Sequence, residues 1–172
     1  MGEVVVMAKR WGKADYRQLK KLRDNLEKMQ KVDMDAFCTE MSKELAARLL
    51  RRVKKRTPTG EVPEYISPDT KEKYWQGYSG GTLTNNWKVS QVVYRGGEYR
   101  IHVFNPIEYA SYVEYGHRQE AGRFVPQLGM RLSSGWTVGK FMLKISEEEV
   151  QSMAPQLLEK RLKEKLKEVF DV

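Results

Sequence analysis

The stretch Trp87-Lys88-Val89-Ser90-Gln91-Val92-Val93-Tyr94-Arg95-Gly96-Gly97-Glu98-Tyr99-Arg100-Ile101-His102-Val103-Phe104 decides the fold. Successive side chains of a strand point to opposite faces, so alternating apolar and polar residues read as a half-buried strand. Two such runs flank Arg95-Gly96-Gly97-Glu98, and paired glycines supply the positive φ angles of a tight hairpin turn. The segment is expected to form an antiparallel hairpin, with Trp87 at its entry as a core residue. The sheet is expected to run from Leu83 to Phe104, with room for added strands.

Directly after it, Asn105-Pro106-Ile107-Glu108-Tyr109-Ala110-Ser111-Tyr112-Val113-Glu114-Tyr115-Gly116-His117 reads as a short capped helix. Asn105 can accept orphan amides, Pro106 suits a first helical position, and Gly116 can take the left-handed conformation that ends a helix. Ile107, Ala110 and Val113 fall on one row and can face a core. Tyr109, Tyr112 and Tyr115 fall on a second row beside it. This is more aromatic surface than one small helix needs to bury, which makes the three tyrosines candidate protein-interface residues. Glu114 reads either as a plain surface charge or as one that pairs with a basic residue across an interface. Six residues from Glu108, it lies on a different helix face, so the two do not form a hydrolase pair.

Toward the amino terminus, Tyr16, Leu19, Leu22, Leu26 and Met29 form a helical stripe that Asp15 can cap. Asp33 can cap a longer helix with Met34, Phe37, Met41, Leu45, Leu49 and Val53 on one face, ending before Pro58. The two read as an α-hairpin or a bent pair. Residues 1–14 carry the apolar run Val4-Val5-Val6-Met7, an edge strand or an arm that orders on a neighbour. Residues 57–81 are rich in proline and glycine and read as a long loop. A loop of that length inside a compact domain is commonly a binding element, and Trp75 within it is a candidate anchor.

Toward the carboxy terminus, residues 117–139 read as an extended loop or hairpin presenting Phe124, Val125, Leu128 and Trp136. Arg123, Phe124 and Trp136 join the candidate interface, since aromatics and arginine are favoured in such contacts. Ser146-Glu147-Glu148-Glu149 resembles a capping box opening a helix with Val150, Met153, Leu157, Leu158, Leu162, Leu166 and Val169, which Phe141 to Ile145 can extend backwards. Pro155 is expected to kink or split it. Helices, then strands, then a helix segregate rather than alternate, so the expected class is α+β: a small antiparallel sheet flanked by an N-terminal helical pair and a C-terminal helix, in one domain spanning 1–172.

Composition narrows the function. Hydrophobic residues are 40% and charged residues 31% of the chain, the balance of a soluble protein with much exposed helix. No run reaches the roughly 20 apolar residues needed to span a bilayer, and the start lacks a signal-peptide layout, so the chain is expected to stay in the cytoplasm where it is made. Cys38, the sole cysteine, reads as a small buried thiol. His102 and His117 have no neighbouring ligands for a metal, the Gly-Gly pairs lack a phosphate-loop context, and Ser133-Ser134 lacks a base. No enzyme and no cofactor are expected. The net charge of +8 favours an acidic partner. Arg51, Arg52, Lys54 and Lys55 are candidate DNA-facing residues, although basic charge also suits the end of a solvated helix. Tyr94, Tyr99 and Arg100 come nearest to a base-stacking set.

Tyr109-Ala110-x-Tyr112-Val113-Glu114-Tyr115-Gly116 resembles the signature of the gene-product-ten-like tail-component family of tailed phages, which has homologues in defective prophages and tail-like particles. Three further pieces match in order: Arg56-Thr57-Pro58-Thr59-Gly60; Gly81-Thr82-Leu83-Thr84-Asn85-Asn86-Trp87, similar to the family's strand entry; and Gly122-Arg123-Phe124-Val125-Pro126. Gly135-Trp136-Thr137-Val138-Gly139-Lys140-Phe141-Met142 looks closest to members from contractile-tailed and defective-prophage clusters. The resemblance spans roughly Met34 to Ser146. It implies a compact sheet flanked by helices, with the tryptophan matching Trp87 in the core. It also implies a non-enzymatic subunit of a virion or tail-like particle, assembled in the bacterial cytoplasm. The subunit would form a ring of six copies at the head-proximal end, as a tail-completion or neck protein between the tail terminator and the head connector or collar. Its basic residues would rim a passage for DNA. The charge alone leaves open a nucleic-acid-binding module or a packaging assembly factor.

Overall fold

A segment that begins as strand and returns through Gly-Gly cannot bury its apolar side alone; helices before and after supply the other half of the core. The computed structural model describes Lys20, Lys21, Arg23, Asp24, Glu27 and residues 33–170. The readings of residues 1–14 and of the stripe Tyr16 to Met29 lie outside them. The chain separates into two compact units, one of Asp35–Leu158 and one of its two ends, Met1–Met34 with Glu159–Val172. In order, the elements are α1 (Met34–Arg56), α2 (Pro68–Trp75), α3 (Thr82–Asn85), β1 (Lys88–Val89), β2 (Val93–Arg95), β3 (Glu98–Arg100), β4 (Val103–Phe104), α4 (Ala110–Tyr115), β5 (Gly116–Arg118), β6 (Phe124–Val125), β7 (Met130–Arg131), β8 (Trp136–Val138) and α5 (Met142–Phe170). Every strand pair is antiparallel and the fold is α+β.

The hairpin forms as its sequence reads, with one irregularity. Tyr94 pairs with Tyr99 and Arg95 with Glu98 across Gly96 and Gly97, whose φ angles of 63° and 83° make the tight turn. Farther along, Lys88 pairs with Phe104 and Val89 with Val103. Between the two ladders Ser90, Gln91 and Val92 face only Ile101 and His102, so the first strand carries a bulge. Ser90 fills the gap with backbone and side chain together: its backbone N–H donates to His102 O at 2.8 Å, and its Oγ accepts the His102 N–H at 2.9 Å.

The core of the larger unit is Val53, Leu83, Trp87 and Met142, with Leu50, Val103, Ile107, Ala110, Val113 and Leu143 packed around it. Each large apolar side chain among them contributes about 2 kcal/mol on leaving water. Trp87 needs a partner for its indole N–H, and the end of α1 provides it. Thr57 Oγ1 donates to Val53 O at 2.7 Å and accepts from Trp87 Nε1 at 2.8 Å, so one buried hydroxyl binds the last turn of the helix and satisfies the tryptophan. Thr57→Val keeps the shape and orphans the indole; we expect a loss of about 2 kcal/mol in denaturant unfolding. An unchanged midpoint would mean that water reaches Trp87.

Tyr99 fastens the hairpin to the start of α1 by donating to the Asp35 carboxylate. That hydrogen bond, then partial burial and the negative charge of Asp35, raise the phenol pKa to about 12. The unfolded phenol ionises near pH 10 by comparison. The folded state therefore holds this proton more tightly, and the stabilisation is complete below pH 10 and lost as pH rises from 10 through 12. Unfolding midpoints of the parent and Tyr99→Phe should converge across that window; a gap still constant at pH 12 would contradict the assignment.

Several expectations change. Residues 57–81 are not a bare loop, because α2 occupies their centre: Ser67 accepts the Thr70 N–H, Pro68 opens the helix and Asp69 lies in its first turn. The segment before Trp87 is a helical turn, α3, and the strand begins only at Lys88. The C-terminal helix starts at Met142, not at Ser146, as the backward extension from Phe141 anticipates. Ser146 is buried within it and donates to Met142 O. Pro155 does not split it. In the unit formed by the chain ends, the far part of α5 carries the spaced pairs Glu159–Lys163 and Lys160–Glu164. Glu159 is held below its usual pKa by its hydrogen bond to Lys163 and the charge beside it.

Candidate functional site

Helix α4 covers only Ala110–Tyr115, shorter than expected, with Tyr109 as its N-cap and Ile107 before it, yet the two rows still divide between core and surface. Ile107, Ala110 and Val113 pack on the core, while Tyr109, Tyr112 and Tyr115 remain 44%, 57% and 61% exposed. Asn105 does not cap the helix proper. Its Oδ1 accepts the Ile107 N–H at 3.1 Å and its Nδ2 donates to Leu83 O at 2.7 Å, which ties α3 to the approach. Gly116 ends the helix with φ 81° and ψ 174°, a positive φ as its sequence suggests, but in an extended rather than left-handed α geometry.

From Gly116 onward the chain builds a β-ribbon. Gly116, His117 and Arg118 pair with Val138, Thr137 and Trp136, and beyond them Phe124 and Val125 pair with Arg131 and Met130. The ribbon therefore sets Arg118 opposite Trp136 and Phe124 opposite Arg131. Trp136 lies over Gly116 and stays half exposed, and so does Phe124. Val125 and Leu128 are partly buried, unlike the presented residues expected there. His117, on β5, packs against Tyr112 with the rings tilted by 54° and their centroids 5.7 Å apart.

The end of α4 and the start of α5 satisfy each other. Lys140 N–H donates to Val113 O at 2.8 Å and Phe141 N–H to Glu114 O at 3.0 Å, which occupies two carbonyls that a helix end leaves open. In return the Glu114 carboxylate accepts the Leu143 N–H at 2.9 Å and the Lys144 N–H at 3.0 Å, at the positive end of a long helix. Glu114 is thus 5% exposed and is not an interface charge. Spacing distinguishes its face from that of Glu108; nothing local shows that this face meets another helix.

Two other candidates also turn inward. Trp75 is the last residue of α2, half buried, with its Nε1 donating to Gln127 O at 2.7 Å and its ring edge-on to Tyr78 at 4.9 Å. It pins the ribbon tip. Arg52 bonds Glu149 of α5, and Arg56 bonds the same carboxylate, so part of the charge of Arg52 is met within the protein. Arg51 and Lys55 are exposed and Lys54 is partly so. Among the described residues no group of histidine, cysteine and carboxylate side chains could hold a metal, and no described helix is long and apolar enough to cross a membrane.

The aromatic row, the glycine stop and the strand entry at Trp87 coincide with a match found by comparison. Residues 20–116, more than half the chain, match the family model described as "Bacteriophage HK97-gp10, putative tail-component". No curated protein and no solved structure gives a match. The chain belongs to the HK97-gp10-like family of phage tail components.

Proposed function

We propose that the 172-residue chain acts as one structural, non-enzymatic subunit at the head-proximal end of a phage tail or tail-like particle. In this reading, copies close into a ring, six by the family resemblance, as a tail-completion or neck protein between the tail terminator and the head connector or collar. The observation that carries it is the tyrosine row: three exposed aromatics on α4 and its N-cap, beside a row of Ile107, Ala110 and Val113 packed on the core. Such a surface suits contact with another protein. Phe124, Trp136 and Arg123 on the adjoining ribbon extend it, and in a ring this patch meets a different patch on the next copy. Arg51, Lys54 and Lys55 form the basic edge that would face DNA passing through.

A gold or antibody label on the chain, viewed on particles by negative-stain electron microscopy, tests the placement. Label at one tail end, beside the head or collar, supports it, and label absent from all particles counts against it. Tyr112→Ala combined with Tyr115→Ala should weaken assembly on the order of a hundredfold, as two interface anchors would, while far-UV circular dichroism stays unchanged. Normal assembly by that variant would move the contact elsewhere.

A further inference from the structure

The larger unit carries two exposed segments of opposite charge that do not neutralise each other. The ribbon from β5 to β8 presents Arg118, Arg123 and Arg131 with only Glu120 opposing them, and two of its arginines stand across from aromatics in register. The segment between Arg56 and Lys71 holds Glu61, Glu64 and Asp69 with no basic residue, and exposes Tyr65 among them. The three arginines and the three acidic side chains of the second segment are all exposed. Among the described residues none of the six forms a salt bridge, although Arg131 spends one N–H on Gly122 O at 2.7 Å. The ribbon tip is bonded to α2 through Trp75, and still no salt bridge joins these arginines to these carboxylates.

We infer that the ribbon is the docking surface for a second copy of this chain, and that it seats on the neighbour's Glu61–Asp69 segment. The occupant is identified by charge complementarity: a basic, aromatic ribbon fits an acidic surface that carries an exposed tyrosine, and each subunit owns both halves. Opposite patches that do not close on each other within a subunit are what a head-to-tail contact requires, since residue i then meets residue j but not the reverse. This rests on the ring reading above and names the two faces that the ring would join.

The test is charge reversal, read as labelled tail ends in particles complemented with the full chain. Arg118→Glu with Arg123→Glu should cut labelled ends by about tenfold or more, and so should Glu61→Lys with Glu64→Lys, each with unchanged circular dichroism. The chain carrying all four changes restores the attraction in reverse and should label ends to within about twofold of the unaltered chain, since only the sign of each face has changed. Three outcomes overturn the inference: no loss from the ribbon reversal, no recovery in the fourfold variant, or weaker duplex DNA binding with labelling unchanged. If the unaltered chain itself fails to label tail ends, the ring reading falls first, and the inference with it.

Discussion

Gly139→Ala is expected to cost the larger unit about 4 kcal/mol and to lower its melting temperature on the order of 15 °C. A Cβ at that position would lie within 3 Å of Glu114 O, Tyr115 C and Gly116 N, all backbone atoms that no rotamer can move aside. These atoms belong to the end of α4 and the first residue of β5, so relief would mean separating β5 from β8. Gly116→Ala should be as severe for two reasons. Its Cβ would meet Thr137 O and Gly139 N, and its extended backbone at φ 81° is essentially closed to other residues. Gly122→Ala is the control: it shares a positive φ of 83° but has open space around it, so about 1 kcal/mol is expected. Thermal unfolding of the three variants decides the matter, and equal losses at 122 and 139 would refute the close crossing.

Glu114→Ala should lose about 3 kcal/mol, because it removes a charged acceptor from two amides at the start of α5 together with the favourable charge there. Glu114→Gln is not a mild replacement. The carboxylate takes Leu143 N–H on one oxygen and Lys144 N–H on the other, whereas an amide offers one oxygen and turns an NH2 toward the second donor. It should recover less than half of the loss. Denaturant melts at neutral pH measure both, and a Gln variant as stable as the parent would show that one bond suffices.

The same carboxylate shows where sequence reasoning reaches and where it stops. Periodicity places Ile107, Ala110 and Val113 inward and the tyrosines outward, and Gly96-Gly97 sets the hairpin, because both signals lie in neighbouring residues. The C-terminal helix, by contrast, takes its first acceptor from a residue about thirty positions away, and Ser146-Glu147-Glu148-Glu149 imitates a start that the chain does not use. Helix α2 is legible after all: Ser67-Pro68-Asp69 is a start signal, obscured by the surrounding glycines and prolines. Trp75 and Arg52 look like surface residues in the sequence because their partners, Gln127 and Glu149, lie in distant segments. The family motif is readable because Tyr109 to Gly116 and Gly81 to Trp87 are local patterns.

The ribbon is held at both ends, by the glycine crossing at its base and by Trp75 at its tip. A free arm of this length would surrender its conformational entropy at the moment of docking, at about 1 kcal/mol for each long side chain immobilised and more for the backbone. Here folding has already met that cost. In the contact inferred above, the subunit would meet its neighbour with a stiff strut rather than a tether, so more of the contact energy would remain as affinity, and the angle between adjacent copies would be set before they touch.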